Sequence, residues 1–130
     1  MGYLLDTHTI LWVLENEKRL SSKAIMIIEA TKNDCFVSVG SLFEMTIKRK
    51  IGKLELSKSI GGYADEIERI GVKILPIKTI YLDSYENIPL FADHRDPFDR
   101  LLIATAFAKN LVIITDDNKF EWYNNFVEII

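Results

Sequence analysis

The chain has 130 residues, of which 48% are hydrophobic and 27% charged, and this composition suits a single compact domain over residues 1–130 with a real core. No apolar run approaches the ~18 residues of a membrane-spanning helix, and the first residues lack the basic and apolar regions of a secretory signal, so we expect neither membrane contact nor export. The formal net charge of −3 excludes a protein that binds nucleic acid through bulk positive charge alone, but it leaves room for a nuclease with clustered acids.

The first half of the chain alternates short β-like runs with helical stretches. Ser21 or Ser22 can cap the second helix, and Gly52 ends the third. Cys35, the single cysteine, lies inside an apolar run that predicts a buried thiol, and the lack of a disulfide partner agrees with a reducing cytoplasm. In chain order we expect a strand at 3–5, a helix from 7 to about 15, a helix from 21 or 22 to about 31, a strand at 35–39 and a helix from about 42 to 50.

The second half continues the same alternation after an ambiguous segment at 54–56. Gly71 stops one helix, and Pro97 opens another. We expect a helix at 60–70, a strand at 72–75, a helix from 79 to about 86, a loop at 87–95, a helix from 98 to about 110, and strands at 111–115 and 126–130. Strands that alternate with helices predict an α/β fold with a mostly parallel sheet of about five strands, covered on both faces.

Four separated acids could converge at one edge of this sheet. Asp6 follows the first strand, Glu44 lies beyond the second, Asp99 lies near the start of the 98–110 helix, and Asp117 follows the fourth strand. Ligands of parallel α/β sheets bind beyond the carboxyl ends of the strands, and carboxylate oxygens are what Mg²⁺ and Mn²⁺ prefer. Carboxylates gathered there would repel one another unless a cation neutralised them. The pattern therefore predicts a divalent-cation site for phosphodiester chemistry.

Each acid also has a structural interpretation that the sequence leaves open. Asp6 can cap the following helix, and capping can coexist with metal ligation. Ser41 and Glu44 have the spacing of a capping box, in which the glutamate would only satisfy a backbone N–H. Asp96 fits the N-cap of the 98–110 helix, and Asp99 fits its third position.

Four pieces of the sequence together carry a family resemblance, and the third is the most specific. They are Leu5-Asp6-Thr7-His8, then Ser38-Val39-Gly40-Ser41-Leu42-Phe43-Glu44 with the following Lys48, then His94-Arg95-Asp96-Pro97-Phe98-Asp99-Arg100-Leu101-Leu102-Ile103-Ala104, and finally Leu111-Val112-Ile113-Ile114-Thr115-Asp116-Asp117. In their order and spacing the chain resembles the PIN-domain ribonucleases, in particular the VapC-type toxins of bacterial toxin–antitoxin pairs.

The resemblance implies a three-layer α/β/α sandwich, a Mg²⁺ or Mn²⁺ cofactor, a homodimer and a cognate antitoxin. It places the catalytic and metal-binding acids at Asp6, Glu44, Asp99 and a fourth acid two residues after Thr115, which selects Asp117. The neighbouring Asp116 stays an alternative for that position, and both could be plain turn residues. Thr115, Asp116 and Asp96 are expected to lie behind the ligands and support them.

The predicted reaction is metal-dependent endonucleolytic hydrolysis of RNA. Arg95 and Arg100 bracket the third piece and are expected, with Lys48, to contact the substrate. Lys48 also has a structural interpretation, because it lies near the end of a helix, where a positive charge is favourable. His8 and His94 are interpreted as structural or substrate-contacting groups and not as catalytic bases.

Three competing functions remain open at this level. A PIN-type nuclease could act in RNA processing or decay without an antitoxin. A metal-dependent phosphatase could use an aspartate after the first strand, although position 8, where such enzymes commonly carry a second acid, is His8. A non-catalytic binding module could keep the fold, but all four acidic positions are filled.

Overall fold

A computed structural model describes residues 1–16, 18–92 and 94–130, and its core is one parallel sheet. The strands are β1 (Gly2–Leu5), β2 (Asp34–Ser38), β3 (Lys73–Leu75) and β4 (Val112–Ile114). Their order across the sheet is β3-β2-β1-β4, and every pair is parallel. Leu5 lies beside Val37 on one side and Ile114 on the other, so the carboxyl ends of the three strands are level.

Helices connect the strands and cover both faces of the sheet. They are α1 (Thr7–Glu15), α2 (Ser22–Glu29), α3 (Val39–Lys50), α4 (Ile60–Arg69), α5 (Thr79–Asn87) and α6 (Pro97–Lys109), followed by a 3₁₀ helix (Asn118–Tyr123). Because side chains alternate along a strand, Leu5 and Val37 join one core with α1 to α4, while Leu4 joins a second core with α5, α6 and the 3₁₀ helix. These three layers confirm the predicted α/β/α sandwich.

The third helix begins three residues earlier than its apolar pattern predicts, because Ser38 is its N-cap. The Ser38 hydroxyl accepts the backbone N–H of Gly40 at 3.0 Å, so the turn forms directly at the end of β2. Ser41 is therefore inside the helix and does not form a capping box with Glu44. This start places Glu44 in the second turn of α3, close to the carboxyl end of the sheet.

The predicted fifth strand is reduced to a single parallel bridge between Ile113 and Ile129. The backbone N–H of Ile113 donates to Glu128 at 2.9 Å, and that of Ile130 donates to Ile113 at 2.8 Å. The residues before this bridge form the 3₁₀ helix and the turn that follows it, so only the last few residues of the sequence lie beside β4.

Two further predictions concerned the burial of Cys35 and the lack of a membrane-spanning helix. Cys35 is buried in the first core, as predicted, and burial is the main cause of the raised pKa of its thiol. Among the described residues, no helix has both the length and the apolar character needed to cross a membrane.

Two leucine truncations test the position of the second core. Leu4 is fully buried on β1, whereas Leu82 on α5 is 48% exposed. We expect Leu4→Ala to lower the free energy of unfolding by about 3–5 kcal/mol and Leu82→Ala to lower it by less than about 1 kcal/mol, because only the first leaves a cavity. Urea unfolding of both variants measures the difference, and equal losses would contradict this packing.

Candidate active site

A cleft of about 360 Å³ opens at the carboxyl end of the sheet. All four predicted acids line it, although they come from four separate parts of the chain. The rest of its lining is mostly basic or hydroxyl-bearing and comprises Thr7, His8, Lys48, His94, Arg95, Asp96 and Lys119. The convergence expected from the strand ends is therefore present, and it includes Asp99, which no strand directly precedes.

Asp6 is fixed at the centre of the cleft by two hydrogen bonds. Its Oδ1 caps α1 by accepting the backbone N–H of Thr9 at 2.8 Å, and its Oδ2 accepts the Thr115 hydroxyl at 2.5 Å. Asp6 is only 5% exposed, and this burial raises the pKa of its carboxyl although both hydrogen bonds oppose the shift. Capping and a place in the site thus coexist, since a carboxylate has about four acceptor positions.

Thr115 joins Asp6 to Asp117 through its hydroxyl group. The hydroxyl donates to Asp6 and accepts the backbone N–H of Asp117 at 3.0 Å. The Oδ1 atom of Asp117 accepts the backbone N–H of Lys119 at 2.9 Å and caps the 3₁₀ helix. Both Asp116 and Asp117 are exposed and line a neighbouring cavity, but only Asp117 also lines the cleft.

Glu44 is the most fully paired of the four acids. Its Oε1 accepts the hydroxyl of Thr7 at 2.6 Å, and its Oε2 lies 2.8 Å from the Lys48 ammonium. Burial lowers the pKa of Lys48, but the hydrogen bond and charge of Glu44 outweigh it, so the pKa is raised and the ammonium stays charged. Lys48 lines the cleft, and its ammonium balances the charge of Glu44. The Thr7 contact was not predicted, because the first sequence piece that contains Thr7 assigned it no role at the site.

Asp99 lies in the first turn of α6, where Asp96 positions it. The Oδ1 atom of Asp96 accepts the backbone N–H groups of Phe98 and Asp99 at 2.8 and 3.1 Å, which confirms its capping role. Burial raises the pKa of Asp99 to about 6, and the charges of Asp96 and Glu44 add to this shift. The Nε2 atom of His94 lies 3.0 Å from Asp99 Oδ2 and opposes it.

The two arginines beside the third sequence piece have different environments. Arg95 is exposed and lines the cleft. Arg100 is 3% exposed, donates to the carbonyls of Pro89 and Ile88 at 2.6 and 3.0 Å, and stacks over the ring of Tyr85. The expected substrate contact thus does not fit the position of Arg100, because its guanidinium is used to hold the loop before α6.

The donor set of the cleft fits a hard divalent cation. Ligand atoms of His94, Asp99 and Asp117 lie within 4.8 Å of one another, and Asp6 lines the same cleft. Burial holds the pKa values of Asp6 and Asp99 above their usual range, so negative charge here lacks full compensation. Among the described residues, the ion pairs that reach the cleft are Lys48–Glu44 and, when the imidazole is protonated, His94–Asp99. A bound cation would supply the missing charge.

The raised pKa of Asp99 predicts how the cation-free protein responds to pH. Because the folded-state pKa of about 6 exceeds the usual aspartate pKa of 3.8, ionisation of Asp99 destabilises the fold as pH rises through this interval. We expect Asp99→Asn, measured in EDTA at pH 7, to be more stable than the wild type by roughly 2 kcal/mol, and this gain to vanish below about pH 4. Urea unfolding across this pH range measures it. A variant less stable at pH 7 would contradict the unfavourable burial of this charge.

Comparison with known proteins agrees with this architecture. Residues 3–124 match the PIN domain family, while no curated protein matches the chain significantly in sequence. Among solved structures, the chain is similar to VapBC2 from Rickettsia felis bound to a promoter DNA fragment, with a TM-score of 0.73 and 18% identity over 100% of this chain and 98% of that one.

Two further structures show the same fold at similar identities. VapBC-1 from nontypeable Haemophilus influenzae gives a TM-score of 0.70 and 20% identity, over 100% of this chain and 97% of that one. DNA-bound VapBC from Salmonella typhimurium gives 0.68 and 16% over the same shares of the two chains. The family match spans nearly the whole sequence, and the chain belongs to the PIN domain family.

Proposed function

We propose that this protein is a divalent-cation-dependent endoribonuclease and the toxin of a toxin–antitoxin pair. The observation that carries the proposal is the meeting of Asp6, Glu44, Asp99 and Asp117 in one cleft of a PIN domain. Carboxylates with raised pKa values in a cleft are typical of a functional site, since an unused group of this kind only destabilises the fold.

The carboxylates would hold Mg²⁺ or Mn²⁺ directly or through water. When bound, the cation supplies activation of a water molecule and stabilisation of negative charge on the phosphate. Asp6 and Asp99 are the principal ligands in this proposal. Asp6 is buried and Asp99 is half-buried, hydrogen bonds position both, and among the described residues neither has a lysine or arginine partner. Asp117 completes them from the exposed side, and Glu44 contributes charge already shared with Lys48.

The basic side chains around the acids suit a polyanionic substrate. Lys48, Arg95 and Lys119 all line the cleft, although the chain as a whole is acidic. Cations at this rim would neutralise phosphates on either side of the scissile bond and draw the strand toward the carboxylates. An open cleft with basic edges fits a nucleic-acid strand better than a small phosphomonoester, and we propose RNA as the substrate.

Conservative removal of single negative charges tests the catalytic assignment. We expect Asp6→Asn and Asp99→Asn to lower the rate of Mg²⁺-dependent RNA cleavage by at least about 100-fold, because each removes a charged cation ligand while keeping the size of the side chain. Cleavage of tRNA and rRNA by purified protein, with and without EDTA, measures the loss. Asp117→Asn should also lower the rate of RNA cleavage, and Asp116→Asn should lower it much less.

A matched control separates lost catalysis from lost folding. Asp65 is an exposed carboxylate on α4, outside the cleft, so Asp65→Asn makes the same chemical change elsewhere and should keep full activity. Far-UV circular dichroism of all variants checks the fold. Folded Asp6→Asn and Asp99→Asn proteins with wild-type activity would refute the assignment of these ligands.

The toxin role predicts an inhibitory partner. The solved relatives with the same fold are VapBC complexes, two of them described with DNA, and we propose that this chain also binds a cognate antitoxin. Exposed apolar side chains such as Phe43, which packs edge-on against Phe98 on the surface, offer area for protein contact, including the predicted homodimer.

We expect the neighbouring reading frame to encode a small DNA-binding protein that forms a complex with this chain and stops RNA cleavage. Expression of the wild type alone should arrest growth of a bacterial host, and co-expression of the neighbour should restore it. Gel filtration and growth curves measure both effects. A cleaving enzyme that leaves growth unchanged and binds no neighbour would point instead to RNA processing or decay.

A further inference from the structure

We propose that Tyr123 and His94 position the carboxylate of Asp99 through a hydrogen-bonded chain, and that His94 itself does not ligate the cation. The inference rests on the proposed function, since it concerns how one of the proposed ligands is held. It gives a role to two residues that the acidic pattern does not identify. Both would be positioning residues, acting on the cation only through Asp99.

The hydrogen bonds run without a gap from Tyr123 in the 3₁₀ helix to Asp99 in α6. The Tyr123 hydroxyl lies 2.8 Å from His94 Nδ1, and His94 Nε2 lies 3.0 Å from Asp99 Oδ2. Tyr123 is fully buried and His94 is 3% exposed. The rings of Phe120 and Phe91 pack around them, with centroids 5.9 Å from His94 and 5.1 Å from Tyr123 respectively. The Tyr123–His94 bond is therefore shielded from water, so a lost partner there is not easily replaced, while the His94–Asp99 bond borders the cleft.

The hydrogen-bonding capacity of the buried groups fixes the tautomer. A neutral imidazole has one N–H, and among the described residues His94 Nδ1 is the acceptor within hydrogen-bond distance of the Tyr123 hydroxyl, since Arg100 can only donate to it. If Nδ1 carried the proton, it would donate to the phenol oxygen and leave the phenol proton without an acceptor in an apolar enclosure. The phenol therefore donates to Nδ1, and the imidazole proton is on Nε2, from which it donates to Asp99 Oδ2.

Arg100 favours the same direction of donation. Burial raises the pKa of Tyr123, and the nearby Arg100 guanidinium, which can only donate, opposes the shift. Because the Arg100 guanidinium cannot accept the phenol proton, that proton points toward His94. The inward position of Arg100, which keeps it from the substrate, thus supports the hydrogen-bonded chain from Tyr123 to Asp99.

Direct ligation by His94 is the competing geometry. Its ligand atom lies within 4.8 Å of those of Asp99 and Asp117, so a cation could be reached. Ligation through Nε2 would remove the proton donated to Asp99 and reverse the bond to Tyr123, which again strands the buried phenol proton. Hydrogen bonds from outside the coordination sphere are a common means of orienting ligands, and here they leave Asp99 Oδ1 for the cation.

Spectroscopy of the wild-type protein tests the hydrogen-bonded chain without any substitution. In the cation-free state, ¹⁵N NMR of the imidazole should show His94 protonated on Nε2 and unprotonated on Nδ1. With Mn²⁺ bound, electron spin-echo spectroscopy should show no directly coordinated nitrogen. A neutral His94 ring with its proton on Nδ1, or a ¹⁴N ligand that disappears in His94→Gln, would overturn the inference.

Paired tyrosine variants test whether the chain affects the cation. Tyr123→Phe removes only the hydroxyl and should weaken Mg²⁺ and Mn²⁺ binding about tenfold by calorimetry, because Asp99 loses its orientation. Tyr63→Phe is the matched control, since this buried tyrosine also uses its hydroxyl, to accept the backbone N–H of Ser57 at 2.9 Å, but lies outside the cleft. Its cation affinity should stay within twofold of the wild type.

The outcomes separate this inference from the proposed function. If Tyr123→Phe binds the cation as tightly as Tyr63→Phe, while the wild type binds Mg²⁺ and cleaves RNA, the positioning chain is refuted and the proposed function stands. If neither Mg²⁺ nor Mn²⁺ binds the wild type, both fail. A tenfold loss confined to Tyr123→Phe, with the expected tautomer, supports the chain.

Discussion

The structure is organised around negative charges that meet at the carboxyl end of the sheet, where the carboxylates of Asp6 and Asp99 lose much of their contact with water. Asp6 is almost fully buried, and Asp99 is near it with a pKa of about 6, because burial opposes ionisation at both positions. Backbone N–H groups and hydroxyls hold these carboxylates in place, and Thr115 links β4 to both Asp6 and Asp117. This arrangement costs stability without a cation, and the proposed divalent cation would offset that cost by neutralising the charge.

Much of this arrangement follows from local sequence rules. Strand ends predicted the positions of Asp6 and Asp117, because parallel strands finish at one edge. The Asp96–Pro97 pair predicted the start of α6, and the capping bonds of Asp96 are present. The α/β pattern also predicted the layers, since buried parallel strands need helices on both faces.

Other features depend on contacts between distant residues, which periodicity does not encode. Arg100 turns into the core, where its two terminal nitrogens donate to the carbonyls of Pro89 and Ile88 and its guanidinium stacks on Tyr85, although the nearby Arg95 is exposed. His94 and Tyr123 are 29 positions apart, and only the packing of the 3₁₀ helix brings them together. The early start of α3 at Ser38 could have been recognised, since serine after a strand is a common cap.

The central claim is that these carboxylates share a divalent cation. Anomalous diffraction from crystals grown with Mn²⁺ tests it most directly, because the signal locates the metal independently of activity. We predict one or two peaks within coordinating distance of Asp6, Asp99 and Asp117 oxygens, lost in Asp99→Asn. A well-diffracting crystal with no peak in this cleft, or with Mn²⁺ bound only elsewhere, would contradict the account.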